Sequence, residues 1–267
     1  MARSTPVVAK IMRHKWEEPI ISGQNGSGAI FFSGCTLKCV YCQNSEISHH
    51  IHGREYSVSE LADLFKKVED AGVHNINLVT PSHFVDSIID ALDIYKPSIP
   101  IVFNTGSYER VETLRRLAGY VDIYLPDLKY SDNNLAINLS RADNYFAVAT
   151  TAIQEMYRQQ PKDIIENGIM KKGVIIRHLV LPGHIDNSLD IASWLIENIP
   201  HDKYISIMSQ FTPHGNLNHF PELTHRLKPL EYKIMINKLM CFENAFIQDY
   251  NSSQEEYIPN FNIEEEL

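Results

Sequence analysis

Three cysteines stand within eight residues of one another in the run Cys35-Thr36-Leu37-Lys38-Cys39-Val40-Tyr41-Cys42. They follow directly on Ala29-Ile30-Phe31-Phe32-Ser33-Gly34, an apolar, β-prone stretch that stops at a glycine, so the thiols are expected in a loop at the end of a buried strand. A C-x3-C-x2-C spacing lets each thiolate take a separate iron of a [4Fe-4S] cluster, which ordinarily has four protein ligands. The loop supplies three, leaving one iron open to a ligand from outside the chain. Two other uses of the same residues stay open. One is a Cys3His zinc site completed by His49 or His50, although structural zinc loops usually come as paired C-x2-C units. The other is three unligated core cysteines, a high density of thiols beside Lys38 and polar neighbours.

With an aromatic residue just before the last cysteine, the Cys35, Cys39, Tyr41, Cys42 pattern resembles the radical S-adenosylmethionine (SAM) superfamily. The continuation Gln43-Asn44 is similar to the branch containing the activating enzymes of pyruvate formate-lyase. The resemblance implies that the open iron holds the amino and carboxylate groups of SAM. It further implies that an electron from the cluster cleaves the sulfonium, giving methionine and a 5'-deoxyadenosyl radical that abstracts a hydrogen atom. Tyr41 is then expected to pack on the adenine. Where the family usually has Gly-Gly-Glu to hold the SAM ammonium, this chain has Thr80-Pro81-Ser82-His83. Oxygens of Thr80 and Ser82 are the expected substitutes as hydrogen-bond acceptors.

The same resemblance assigns Asn104, Thr105 and Ser107, which end the third strand, to the SAM side of the site. Asp127-Leu128-Lys129 matches the Asp-Leu-Lys of the activating enzymes. Alternation along a strand puts Asp127 and Lys129 on one face, as an ion pair in the barrel mouth. Arg177 lies in Ile176-Arg177-His178-Leu179-Val180-Leu181-Pro182-Gly183, similar to the Ile-Arg-x-x-Val-x-Pro-Gly strand of that branch. An arginine inside an apolar strand needs an anionic partner, either Asp127 or the SAM carboxylate. Gln210 is a further candidate for adenosine or substrate contact, followed by His178, His184 and His214.

Two functions follow from the resemblance: activation of a glycyl radical enzyme, or radical modification of a small molecule or peptide. Either needs electrons from outside, with flavodoxin or ferredoxin as the expected donor. The reading from another class is a non-catalytic iron-sulfur protein for electron transfer or sensing, which would close its cluster with a fourth protein ligand.

Positioning these residues requires a frame, and the chain alternates short apolar strands with helical patterns. The strands are Ala29 to Phe32, Ile76 to Val79, Ile99 to Phe103, Val121 to Leu125, Val174 to Leu181 and Tyr204 to Met208. Helices fall between them: a Ser57-capped run ending at Gly72, Phe84 to Tyr95, Glu109 to Leu117, Tyr145 to Gln159 and Leu189 to Ile199. Alternation of this kind implies right-handed crossovers and a parallel sheet. The expected fold is α/β, a partial (β/α)6 barrel of TIM type that is also the radical SAM core, with reactive groups at the C-terminal ends of the strands.

Residues 1–28 are expected as an irregular N-terminal arm and residues 29–250 as the core. Pro229 to Asn244 forms a closing helix that buries Cys241. Residues 251–267 are expected as an acidic tail, mobile or partner-binding. A hydrophobic content of 44% suffices for one large core. A net charge of -9 argues against a general nucleic-acid binder. With no long apolar stretch at the start and three of four cysteines in one loop, neither a signal peptide, a membrane span nor a disulfide framework is expected. The expected location is the cytoplasm.

Overall fold

The computed structural model describes residues 5–215, 217–248, 261 and 265–267. The chain opens with β1 (Val7–His14), the single-turn helix α1 (Pro19–Ser22) and β2 (Ser27–Phe32), with β1 antiparallel to β2. The arm expected to be irregular thus carries a strand, because Val7 to Ile11 bury both faces, Lys10 included. After the cysteine loop come α2 (Ser45–Ser48), β3 (Arg54–Glu55) and α3 (Val58–Asp70). Ser57 and Glu60 close a reciprocal capping box at the start of α3.

Then follow β4 (Ile76–Val79), α4 (Val85–Ile94), β5 (Ile101–Thr105), α5 (Val111–Arg116), β6 (Ile123–Pro126), α6 (Asn133–Ser140) and α7 (Tyr145–Gln159). The chain continues through β7 (Ile164–Glu166), β8 (Ile169–Leu179), α8 (Ile185–Asn198), β9 (Tyr204–Met208), α9 (Pro229–Lys238), β10 (Asn244–Ile247) and β11 (Glu265–Glu266).

The sheet order is β10-β9-β8-β6-β5-β4-β2-β1-β11. Each neighbouring pair from β2 through β9 is parallel, and these six strands are the ones read from the sequence. Among the described residues the sheet does not return on itself, and the architecture is an open, partial barrel. Four details depart from expectation. The closing helix ends at Lys238, and β10 adds a further parallel strand beside β9. Cys241, in the turn between them, is exposed rather than buried. Helix α6 and the β7–β8 hairpin add to the single helix, Tyr145 to Gln159, that the sequence predicts between β6 and β8. Finally, the described end of the acidic tail pairs with β1, with Glu266 accepting from Lys10 at 2.9 Å. The rest of that tail lies outside the described residues.

Period-2 alternation divides the side chains between the two faces of the sheet. Outward residues such as Ile30, Leu78, Phe103, Tyr124 and Ile176 join the main core that also holds Phe65 of α3, Ile88 of α4 and Ile153 of α7. Val102, Ile123, Leu125 and Ile175 face inward and pack on Ile21 of α1. Helix α1 therefore sits against the inner face of the barrel, and the residues just before it, Trp16 and Glu17, line the cavity at its mouth. Among the described residues no helix is long and apolar enough to cross a membrane.

Alternation also decides between neighbours on β8. Arg177 points inward, whereas His178 points outward, with Nδ1 2.7 Å from the Leu128 carbonyl and Nε2 2.8 Å from Ser188 Oγ. A carbonyl can only accept, so Nδ1 carries the proton and Nε2 accepts from Ser188. Burial pushes the His178 pKa down to about 4, against about 6.5 in an unfolded chain. Between those values the unfolded chain binds a proton that the folded chain refuses. Stability is then unaffected by this ring above that window and falls as pH drops through it, by about 3 kcal/mol in all. A His178→Gln variant should lose this part of the pH dependence, measured by urea unfolding at neutral pH and near the lower end of the window.

Candidate active site

The C-terminal ends of the six parallel strands converge on a cavity of about 260 Å³. At the end of β2, Gly34 turns the chain at φ +88°, where a Cβ would stand 3.1 Å from His83 Nε2. The loop that follows lines the cavity with Cys35, Cys39, Tyr41 and Cys42. From β4 comes Thr80, from β5 Asn104 and Thr105, from β6 Asp127 and Lys129, from β8 Arg177 and from beyond β9 Gln210. Ser82 and Ser107 do not line it. The Ser82 hydroxyl is turned to the carboxylate of Glu109, and Ser107 is fully buried at φ +63° without a partner for its hydroxyl among the described residues.

Glu109 also accepts from Thr105 Oγ1 at 2.5 Å. Burial raises its pKa, opposed by the two hydroxyls. His83 gives one ring nitrogen to the Ser33 carbonyl at 2.7 Å, and His184 stands 3.2 Å from Glu222, so neither is presented to the cavity. His214 is also absent from its lining.

Each thiol has a hydrogen-bond donor. The Leu37 N–H lies 3.4 Å from Cys35 Sγ, Ser140 Oγ lies 2.9 Å from Cys39 Sγ, and Ser48 Oγ lies 3.3 Å from Cys42 Sγ. Burial, aided by the neighbouring Cys39, pushes the Cys35 thiol up to about 12. Burial raises Cys39 too, against the opposing charge of Lys129. A metal taken up here displaces protons from the loop. Among the described residues no three His, Cys, Asp or Glu side chains form a group for a single metal ion, so neither His49 nor His50 completes a zinc site with the thiols. A cluster makes a different demand, one thiolate for each of three irons, with hydrogen bonds to the sulfurs tuning it. The three donor-supported thiols fit that demand.

Beside the thiols runs a continuous polar network. Lys129 Nζ donates to Asp127 Oδ2 at 2.7 Å, and Arg177 Nε donates to Asp127 Oδ1 at 2.7 Å. Arg177 Nη1 donates to Glu17 Oε2 at 2.8 Å, and Nη2 donates to Asn104 Oδ1 at 2.6 Å. Asn77 and Asn104 in turn donate to Glu17 Oε1 at 2.9 and 3.2 Å. Burial alone would raise the Asp127 pKa, but Arg177 and then Lys129 outweigh it and hold the carboxyl below its usual range. Burial likewise opposes the charge on Lys129, and Asp127 overcomes it. Glu17 was missed in the sequence. The available signal was donor count: a guanidinium has five N–H groups, and Asp127 alone cannot satisfy them.

Thr80 holds a left-handed conformation at φ +58°, costly for a β-branched residue, with its N–H donating to the Asn104 carbonyl at 3.0 Å. Thr80→Gly should remove about 1 kcal/mol of net strain. Thermal unfolding should then rise by about 2–4 °C, while the cavity loses a hydroxyl. A lowered midpoint would mean that the side chain, rather than the backbone alone, is held in place by its surroundings. A second cavity, of about 550 Å³, shares Trp16, Glu17, Arg177 and Gln210 with the first and reaches Glu18 and Ser206. Trp16 stands at its rim, 61% exposed.

The chain belongs to the radical SAM superfamily, whose family model matches residues 29–195. Members of this superfamily use a [4Fe-4S] cluster and SAM, and these are the cofactors of this chain. An uncharacterized protein of Methanocaldococcus jannaschii is 33% identical over 214 residues, covering 75% of this chain and 58% of its own length. SuiB of Streptococcus suis, in its structure bound to S-adenosylmethionine, matches 81% of this chain and 48% of its own with a TM-score of 0.53 at 12% identity. HydG, a maturase of the [FeFe]-hydrogenase, matches 90% of this chain and 55% of its own with a TM-score of 0.54 at 16% identity. At these identities the two structures share the fold with this chain. This chain thus spans about half the length of these proteins.

Proposed function

We propose that the protein reductively cleaves SAM and uses the product radical to abstract a hydrogen atom, with Cys35, Cys39 and Cys42 as the protein ligands of the cluster. The observation that carries this is three donor-supported thiols in one strand-end loop, facing the Lys129-Asp127-Arg177-Glu17 network across one cavity. When bound, the cluster supplies one electron that cleaves the SAM sulfonium to methionine and a 5'-deoxyadenosyl radical. The chain's own residues hold and orient. Tyr41 offers its ring to the adenine. Thr80 and Asn104 offer oxygens to the ammonium group, in place of the missing Gly-Gly-Glu. Arg177 spends three N–H groups on Asp127, Glu17 and Asn104, and the two that remain, together with Lys129, are the cationic donors available to the carboxylate. Gln210 stands where the two cavities meet, on the substrate side.

The Asp127-Leu128-Lys129 match to the activating enzymes favours a glycine of a glycyl radical enzyme as the hydrogen donor. The altered Thr80-Pro81-Ser82-His83 end of β4 favours the second reading, radical modification of a peptide or small molecule. A one-electron donor such as flavodoxin or ferredoxin, and a reducing cytoplasm, suit both. A test is to incubate the reduced, cluster-loaded protein and SAM with a glycyl-radical-loop peptide deuterated at its glycine α-carbon. Deuterium recovered in 5'-deoxyadenosine supports activation. SAM cleavage without deuterium transfer moves the assignment to the second reading.

A further inference from the structure

The loop that carries the thiols is gripped by the end of α6. The Lys38 N–H donates to the Ser140 carbonyl at 3.0 Å and the Val40 N–H to the Leu139 carbonyl at 2.8 Å, one on either side of Cys39. Three hydroxyls continue from that grip. Ser140 Oγ lies 2.9 Å from Cys39 Sγ, Tyr130 Oη lies 2.5 Å from Ser140 Oγ, and Tyr41 Oη lies 2.6 Å from Tyr130 Oη. Ser140 and Tyr130 are fully buried and Tyr41 nearly so.

Each hydroxyl has a single hydrogen, which fixes the direction of the chain. Once Ser140 donates to the sulfur, Tyr130 must donate to Ser140 and Tyr41 must donate to Tyr130. All three dipoles then point at Cys39, and such chains strengthen one another in a dry interior. The chain starts at the aromatic residue that lines the cavity and ends at a cluster thiol, yet neither Tyr130 nor Ser140 lines the cavity.

We propose that Tyr41, Tyr130 and Ser140 form a directed hydrogen-bond chain that positions the Cys39 thiolate and raises the reduction potential of the cluster it holds. This inference rests on Cys39 being a cluster ligand. Reduction adds negative charge to the cluster, and a donor aimed at a ligand sulfur stabilises that charge. Ser140 and Tyr130 are therefore positioning residues.

The test is a redox titration of the cluster-loaded protein, followed by the electron paramagnetic resonance signal of the reduced cluster, after iron and sulfide have been counted. Ser140→Ala should retain a full cluster and be reduced at a more negative potential than the parent. Ser140→Thr, which keeps the hydroxyl, should return towards the parent value. Tyr130→Phe should shift in the same direction by less, because Ser140 still donates. A loaded Ser140→Ala protein with the parent potential overturns the proposal. If that variant fails to load, a loaded Tyr130→Phe protein at the parent potential overturns it equally. A Cys39→Ala protein that keeps a full cluster would instead overturn the ligand assignment beneath it.

Discussion

Replacing Cys39 by Ala should leave a folded chain that no longer assembles a stable cluster and forms at least about a hundredfold less 5'-deoxyadenosine. Changes around a metal ligand already cost 10–100-fold, and losing the ligand itself costs more. Fold and site respond separately because Cys39 is a small side chain at the edge of the core, while the loop's place is set by backbone bonds from Lys38 and Val40 to α6. The same outcome is expected for Cys35→Ala and Cys42→Ala. Cys241→Ala is the control: it lies exposed after α9, far in sequence from the loop, and should load and react like the parent. Iron and sulfide per chain, with circular dichroism for the fold, check this. A Cys42→Ala protein with a full cluster and parent activity would show that the loop is not the ligand set.

Arg177→Met should destabilise the protein by about 3–5 kcal/mol, the cost of removing one partner from a buried charge network. The guanidinium is the only group that touches both Asp127 and Glu17 among the described hydrogen bonds. Without it Asp127 still has Lys129, but Glu17 is left with two side-chain amides. Glu18 adds to the burden. Burial raises its pKa, Arg177 opposes that rise, and Glu17 adds to it. Adding Glu17→Gln to Arg177→Met should therefore recover part of the loss, a coupling that a double-mutant cycle in thermal or urea unfolding reads directly. Strictly additive losses would contradict the network. Arg177→Lys should fall between, since an ammonium cannot bridge two carboxylates and an amide in the arginine's planar geometry.

Much of this was legible because strand alternation and strand-end placement are written locally. Apolar runs broken by turn residues gave all six central strands, and counting every second residue inward from Val102, Ile123 and Ile175 leads to Asn104, Asp127 and Arg177. What could not be read depends on distant parts of the chain. The first residues looked irregular because β1 is held by pairing with β2, β3 and β11, and α1 by packing on the barrel interior through Ile21. Glu17 reaches the site by that route. Ser82 and Ser107 illustrate the converse. They sit at strand ends as the pattern asks, but a buried carboxylate, Glu109, draws the Ser82 hydroxyl away, and positive φ at Ser107 turns it aside. Tyr130 and Ser140 carry no motif, and only the packing of α6 on the cysteine loop brings them to Cys39.

The most direct measurement is single: reconstitute the protein anaerobically with iron and sulfide, reduce it with dithionite, add SAM and assay 5'-deoxyadenosine. The radical SAM assignment of this site predicts that 5'-deoxyadenosine and methionine form together, and that both vanish in Cys39→Ala. A fully loaded, reduced cluster that neither binds nor cleaves SAM would contradict it, and would make the protein an iron-sulfur electron carrier or sensor built on a radical SAM fold.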